Sequence, residues 1–201
     1  RGAFDDPSGA GPRQAASPCR AHVGETPTLF GLSDPARAGS EPQASAPSGG
    51  SEPRAAGSVG AHERARRVGE TMFANDVASR DTMGMELLVC EPGRALMRMT
   101  VTPRHLNGHR ICHGGFIFTL ADSTFAFACN SYNELTVASG FSVDFMAPAR
   151  AGDVLTARAT EVSRAGRTGV YDVAVSNQNG ERIAVFRGRS YTIKGKPAVA
   201  G

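Results

Sequence analysis

Tryptophan is absent from the 201 residues and tyrosine occurs only three times. No apolar run approaches the roughly 18 residues that a membrane helix needs, so a helical membrane protein is excluded. The four cysteines form no CxxC pair and are too sparse for a small disulfide-stapled domain. They read as reduced thiols of a cytoplasmic protein. The glycine-rich phosphate loops GxxxxGK and GxGxxG after a strand are missing as well. A formal net charge of +3 is too small for a protein that seeks polyanions.

What is present falls into two compositions. Of residues 1–60, 37 are Gly, Pro, Ser or Ala, and only seven are large apolar residues or Cys. Such a stretch cannot bury enough surface to offset its ordering entropy, and it is expected to be disordered. Its five arginines nearly cancel against six acids, so it is no basic arm for nucleic acid. It has no apolar core for a secretory signal, and Asp5, Asp6 and Glu25 argue against a transit peptide. Residues 61–201 read as one folded domain of about 140 residues.

Within that domain, Val68, Met72, Phe73 and Val77 recur at helical spacing and predict a helix over 61–79. Strands follow over Met85–Cys90 and Arg94–Val101, separated by the Glu91–Pro92–Gly93 turn, and Pro103 to Cys112 reads as a polar loop. Gly114 to Asn130 is the most distinctive run. Its Phe, Ile, Leu and Ala residues spread around every face of a helix, which predicts a helix buried all round. Four more strands are expected over Leu135–Phe145, Asp153–Ser163, Thr168–Asn177 and Arg182–Ile193, with Asn179–Gly180 as a hairpin signal. With no helix between them, the sheet should be antiparallel. The fold class is therefore α+β, a long antiparallel sheet wrapped around one buried helix.

Asp122 is the only Asp, Glu, Lys or Arg between Arg110 and Glu134, and it sits mid-helix among Phe, Leu and Ala. Either it faces solvent or bonds back to a nearby Ser or Thr, or it is a buried carboxylate with a raised pKa, poised for proton chemistry. Gly114–Gly115 opens the same helix, and a helix start without side chains is a natural site for a developing oxyanion. Eight residues of helix put Gly114 and Asp122 about 12 Å apart. They cannot touch one carbonyl from the same helix, whereas two antiparallel helices of a two-fold dimer would bring one chain's Gly114 to the other's Asp122.

His105, His109 and His113 recur at steps of four, but Asn107–Gly108 breaks any helix there, so no metal site is expected. His113 reads as an orienting group at the helix start or as a loop histidine in water. Cys112 beside it reads as a buried thiol rather than a nucleophile. Seven arginines cluster late, among them Arg187 and Arg189. They lie on solvated strand faces or meet a phosphate-bearing ligand. Without interleaved aromatics they do not point to nucleic acid.

The run LNGHRICHGGFIFTLADSTFAFACNS, Leu106 to Ser131, closely resembles the phenylacetate-pathway acyl-CoA thioesterases, the PaaI group of the hotdog superfamily. The likeness continues through VASGFSVDFMAPARAGDVLTA and TGVYDVAVSNQNGERIAVFRGRS, and so covers most of residues 61–194. The resemblance implies a hotdog fold and a dimer, usually paired into a tetramer, with its site at the dimer interface. It implies hydrolysis of arylacetyl-CoA or hydroxyarylacetyl-CoA to free acid and coenzyme A. No cofactor is implied beyond the coenzyme A of the substrate, no metal, and neither a nucleic acid nor a membrane as partner. The matching Asp122 would be general base or nucleophile, and the matching Gly114 amide would polarise the thioester carbonyl. Asn107 and His113 match positions that orient water, carbonyl or leaving thiolate. Gly115, Ser139, Arg187 and Arg189 are further substrate-binding candidates. The competing readings are a non-catalytic acyl-CoA binding module and a hotdog dehydratase, whose His–Phe–Pro–Gly motif is absent.

Overall fold

The computed structural model describes residues 55–200, so the disorder expected of residues 1–54 lies outside the described residues. Residues 55–60, grouped with that segment by composition, form the first turns of α1 (Ala55–Asn75). The helix expected to reach residue 79 stops at Asn75. Asp76 turns the chain there: its carboxylate accepts from the Ser79 N–H at 3.0 Å and from the Ser79 hydroxyl at 2.7 Å, and Ala78–Thr82 winds as a π-type turn. The remaining elements are β1 (Met85–Glu91), β2 (Arg94–Thr100), α2 (Gly114–Asn130), β3 (Thr136–Phe145), β4 (Val154–Ala165), β5 (Thr168–Ser176) and β6 (Arg182–Thr192). Every strand boundary falls within two residues of its expected place.

The six strands form one sheet in the order β1-β2-β4-β5-β6-β3, with every pairing antiparallel as expected. Alternation puts Met97, Met99, Tyr171, Val173, Val175 and Phe186 on the inner face, where α2 lies across the sheet. Phe125 on α2 anchors the packing, its ring centroid 5.5 Å from that of Tyr171 and 5.8 Å from that of Phe186. At its C-terminal end α2 is tied to β3 through buried Asn130. The Asn130 amide donates to the carbonyls of Ala126 (2.9 Å) and Thr136 (2.8 Å), and its oxygen accepts from the Thr136 N–H (2.9 Å). Among the described residues no helix is long and apolar enough to cross a membrane.

The expectation of a helix buried all round needs correction. One sheet covers one side of α2, and α1 with the Ala78–Thr82 turn after it covers a flank, where the turn's Ser79 meets Ser123 at 2.9 Å. The side facing away keeps an exposed or half-buried line through Gly115, Thr119, Asp122 and Ala126, spaced as one helical stripe.

Gly188 on β6 lies directly beneath Phe125. A Cβ there would come within 2.8 Å of two Phe125 ring carbons and 2.9 Å of a Phe186 ring carbon. Both rings are buried and cannot swing away. Gly188→Ala is therefore expected to cost about 1–3 kcal/mol by overpacking, read as a lower urea midpoint with an unchanged slope.

Candidate active site

The approach to α2 is a loop built to hold its first residue. Pro103–His105 makes a 3-10 turn, and the buried His105 imidazole accepts from the Thr102 N–H through Nδ1 at 3.2 Å. The same ring packs on Phe116 at 4.8 Å, and the His105 carbonyl accepts from the His113 N–H at 2.8 Å. Burial pushes the His105 pKa down and so favours the neutral ring that this bond needs. Asn107 shapes the next turn, its Oδ1 accepting from the N–H groups of His109 (2.9 Å) and Ile111 (3.4 Å). Arg110 takes a left-handed φ of 60°, so the chain doubles back to bridge Leu106 with Cys112. The histidine spacing weighed as a metal pattern thus contains a scaffold residue, His105, that sequence reasoning did not single out. Pro103, which starts its turn, was the available signal.

At the helix start, His113 is the N-cap, and its Nδ1 accepts from the Gly115 N–H at 2.9 Å. Its carbonyl takes the Phe116 N–H at 3.0 Å. The Gly114 N–H has no acceptor among the described residues. Helix starts carry partial positive charge, so this amide is ready to receive an anionic oxygen. Gly114 and Asn107 line a cavity of about 360 Å³ whose other walls include Ile111, Ile117, Phe145 and Met146. The Phe145 ring rests on Gly114: a Cβ at position 114 would lie 3.0 Å from its Cζ.

Asp122 sits half-buried on the open stripe of α2, without a hydrogen-bond partner among the described residues, and burial raises its pKa. Its place eight residues after Gly114 on one continuous helix keeps the two about 12 Å apart. A single chain therefore brings Gly114, Gly115, His113 and Asn107 together and leaves Asp122 apart. Ser139 is the extra residue of a bulge in β3, and its hydroxyl donates to the Arg189 carbonyl at 3.1 Å. Arg187 and Arg189 lie on the sheet face opposite α2, because Phe186 and Gly188 between and beside them point inward. Arg187 is there held in a bidentate pair with Asp172 at 2.6 and 2.7 Å. Burial pushes the Cys112 thiol up to about 11, which leaves it protonated near neutral pH and no nucleophile.

The model of the thioesterase superfamily matches residues 109–184, a span that holds α2, β3, β4, β5 and the first residues of β6. The acyl-coenzyme A thioesterase PaaI of Escherichia coli K12 is 44% identical over 124 residues, 62% of this chain and 88% of that protein. The chain belongs to the thioesterase superfamily. It is a thioester hydrolase with the hotdog fold of that superfamily. The solved structure of the Escherichia coli PaaI protein, from the phenylacetic acid degradation operon, superposes with a TM-score of 0.65 at 42% identity, covering 67% of this chain and 97% of that one. A Streptococcus mutans structure with acetyl CoA bound gives a TM-score of 0.54 at 25% identity, covering 56% of this chain and 91% of that one.

The environment of Asp122 sets a sign for stability. A carboxyl whose pKa is raised on folding binds its proton more tightly in the folded chain, so stability falls as pH rises through the window above the ordinary aspartate value. Asp122→Asn removes that penalty. The variant is expected to melt above the parent at neutral pH, with the difference shrinking on acidification, as followed by thermal unfolding across a pH series.

Proposed function

We propose that this thioesterase hydrolyses acyl-CoA thioesters of the arylacetyl class, using the Gly114 amide of one chain and the Asp122 carboxylate of a second copy. The uncommitted Gly114 N–H at the wall of an apolar cavity carries the reading. A thioester carbonyl accepting from that amide gains the most when its oxygen becomes an oxyanion, since the donor is fixed and the helix end is positive. Asp122 then either takes a proton from water, whose oxygen adds to the carbonyl carbon, or attacks that carbon itself to form an anhydride that water opens. Collapse of the tetrahedral species breaks the C–S bond, and the electron pair leaves on the coenzyme A sulfur. Asn107 and His113 act as orienting groups beside the carbonyl. The coenzyme A and arylacetyl assignments are supported by the acetyl CoA bound to the Streptococcus mutans relative and by the operon of the Escherichia coli relative.

A second copy is supported by the free edge of the sheet. On β3 and just beyond it, Val137, Phe141, Phe145 and Met146 are 45%, 49%, 51% and 63% exposed. An edge strand of largely apolar exposed side chains, with no proline and Asp144 as its one charge, is a template for pairing. Pairing of two β3 edges about a two-fold axis would set the open stripes of the two α2 helices against each other and close the 12 Å gap.

Thiol release from phenylacetyl-CoA, hydroxyphenylacetyl-CoA and a short aliphatic acyl-CoA tests this. Asp122→Asn should abolish turnover. Gly114→Pro, which deletes the N–H at a helix position that accepts proline and also adds a ring against Phe145, should lower kcat by at least about 10² to 10³. Unfolding and re-annealing an equal mixture of the two dead variants should restore about a quarter of the parent activity, because half the dimers are mixed and each holds one intact site. No recovery with dimers re-formed would overturn the shared site, and full activity in Asp122→Asn would overturn the carboxylate's role.

A further inference from the structure

The cavity beside Gly114 has a composition that decides which end of a thioester enters it. Its walls are Ile111, Ile117, Phe145, Met146 and Pro148, with polar groups contributed by Asn107 and the Gly114 backbone. A thioester carbonyl held on the Gly114 amide must send one of its two substituents into this space. The pantetheine arm carries amides, a hydroxyl and, further on, phosphates, which these walls would leave without hydrogen-bond partners. The acyl group has no such groups and fits an apolar cavity near the small end of ligand pockets, about 360 Å³.

Phe145 is the one aromatic wall of that space. It ends the edge strand β3 on the inner face, paired with Ala184. One edge of its ring rests on Gly114, within 3.0–3.4 Å of where a Cβ would stand. The ring is nevertheless 51% exposed and takes part in no ring pair among the described residues, unlike Phe141 four residues earlier on the same face, which stacks on Phe186 at 5.9 Å. A ring fixed along one edge with its face unpaired presents a flat apolar surface beside the carbonyl site. Planar groups gain about 0.5–1.5 kcal/mol from such contacts beyond their area burial. Flexible Met146 follows at the mouth and adapts to what lies on the ring.

Resting on the proposed use of the Gly114 amide, we propose that this cavity is the acyl pocket and that Phe145 is the residue that selects aromatic over aliphatic acyl groups. The test compares kcat/KM for phenylacetyl-CoA and hexanoyl-CoA in the parent, Phe145→Leu and Phe145→Ala, with dimer mass measured alongside. Phe145→Leu keeps apolar volume and loses only the flat ring. It should lower the aryl-to-alkyl ratio about three- to tenfold, mainly through KM for the aryl substrate, the fold-change matching the stacking term at 1.4 kcal/mol per tenfold. Phe145→Ala should lower it at least as far. An equal change for both substrates, or an unchanged ratio, would overturn the assignment, and so would a loss that tracks dissociation of the dimer. Failure of the parent to hydrolyse either thioester would instead sink the function on which this selection rests.

Discussion

One sheet cannot surround one helix, and the site follows from the side left over. The inner face of β2, β4, β5 and β6 holds α2 through Phe125, Leu120 and the strand residues they touch. That grip fixes the helix in place, and Asn130 fixes its far end. The side turned away from the sheet is then a stripe of small and polar residues with a single carboxylate, next to a β3 edge whose apolar side chains lack cover. Neither feature is a defect of packing, since no buried polar side-chain atom among the described residues lacks a partner. The chain satisfies its own interior and leaves one continuous surface for something else.

The helix start depends on the same rigidity. An N-terminal amide is useful to an anion only when its neighbours do not claim it or cover it. His113 takes the Gly115 N–H with its ring and the Phe116 N–H with its carbonyl, and so leaves Gly114 uncommitted. His105, one turn of loop earlier, holds His113 by its backbone and Phe116 by its ring. Glycine at 114 also admits Phe145, since any Cβ would press on that ring. Amide, cap, support and wall are thus set by four residues whose roles come from contacts made across the loop rather than from their own chemistry.

Much of this was legible in the sequence. Strand limits followed from alternation and from turns at Gly93, Gly166 and Gly180, each of which takes a positive φ. Asp122 and Gly114 stood out because a lone carboxylate and a paired glycine are conspicuous in an apolar helix. What escaped was whatever depends on a neighbour distant in sequence. The stop of α1 is made by the Asp76 side chain, and no periodicity announces it. The helical character of residues 55–60 is invisible in a Gly- and Ser-rich composition. The placement of Arg187 on the outer face follows from strand phase, which a bulge after Ala138 and the inward turn of Gly188 decide. The supporting role of His105 needs the fold of the thirteen-residue connection between β2 and α2, not its composition.

The electrostatics of Asp122 tie these features into one constraint. In a single chain the carboxylate is desolvated by its own helix and gains no hydrogen bond in return, so its charged form is disfavoured. A helix start carries about half a positive charge, and an anion within its first turn gains up to about 2 kcal/mol when partly buried. In the proposed dimer each Asp122 would face the Gly114 end of the other α2, so assembly would offset part of that desolvation cost without removing it. The same positive helix end would draw the thioester oxygen to the Gly114 amide. Carboxylate and oxyanion would then meet at one carbonyl carbon from two different chains. That arrangement would set the carboxylate against the carbonyl carbon and leave the amide of the other chain to receive the oxygen. Neither chain can build it alone, because the rise of an α-helix fixes the distance between its own two halves of the site.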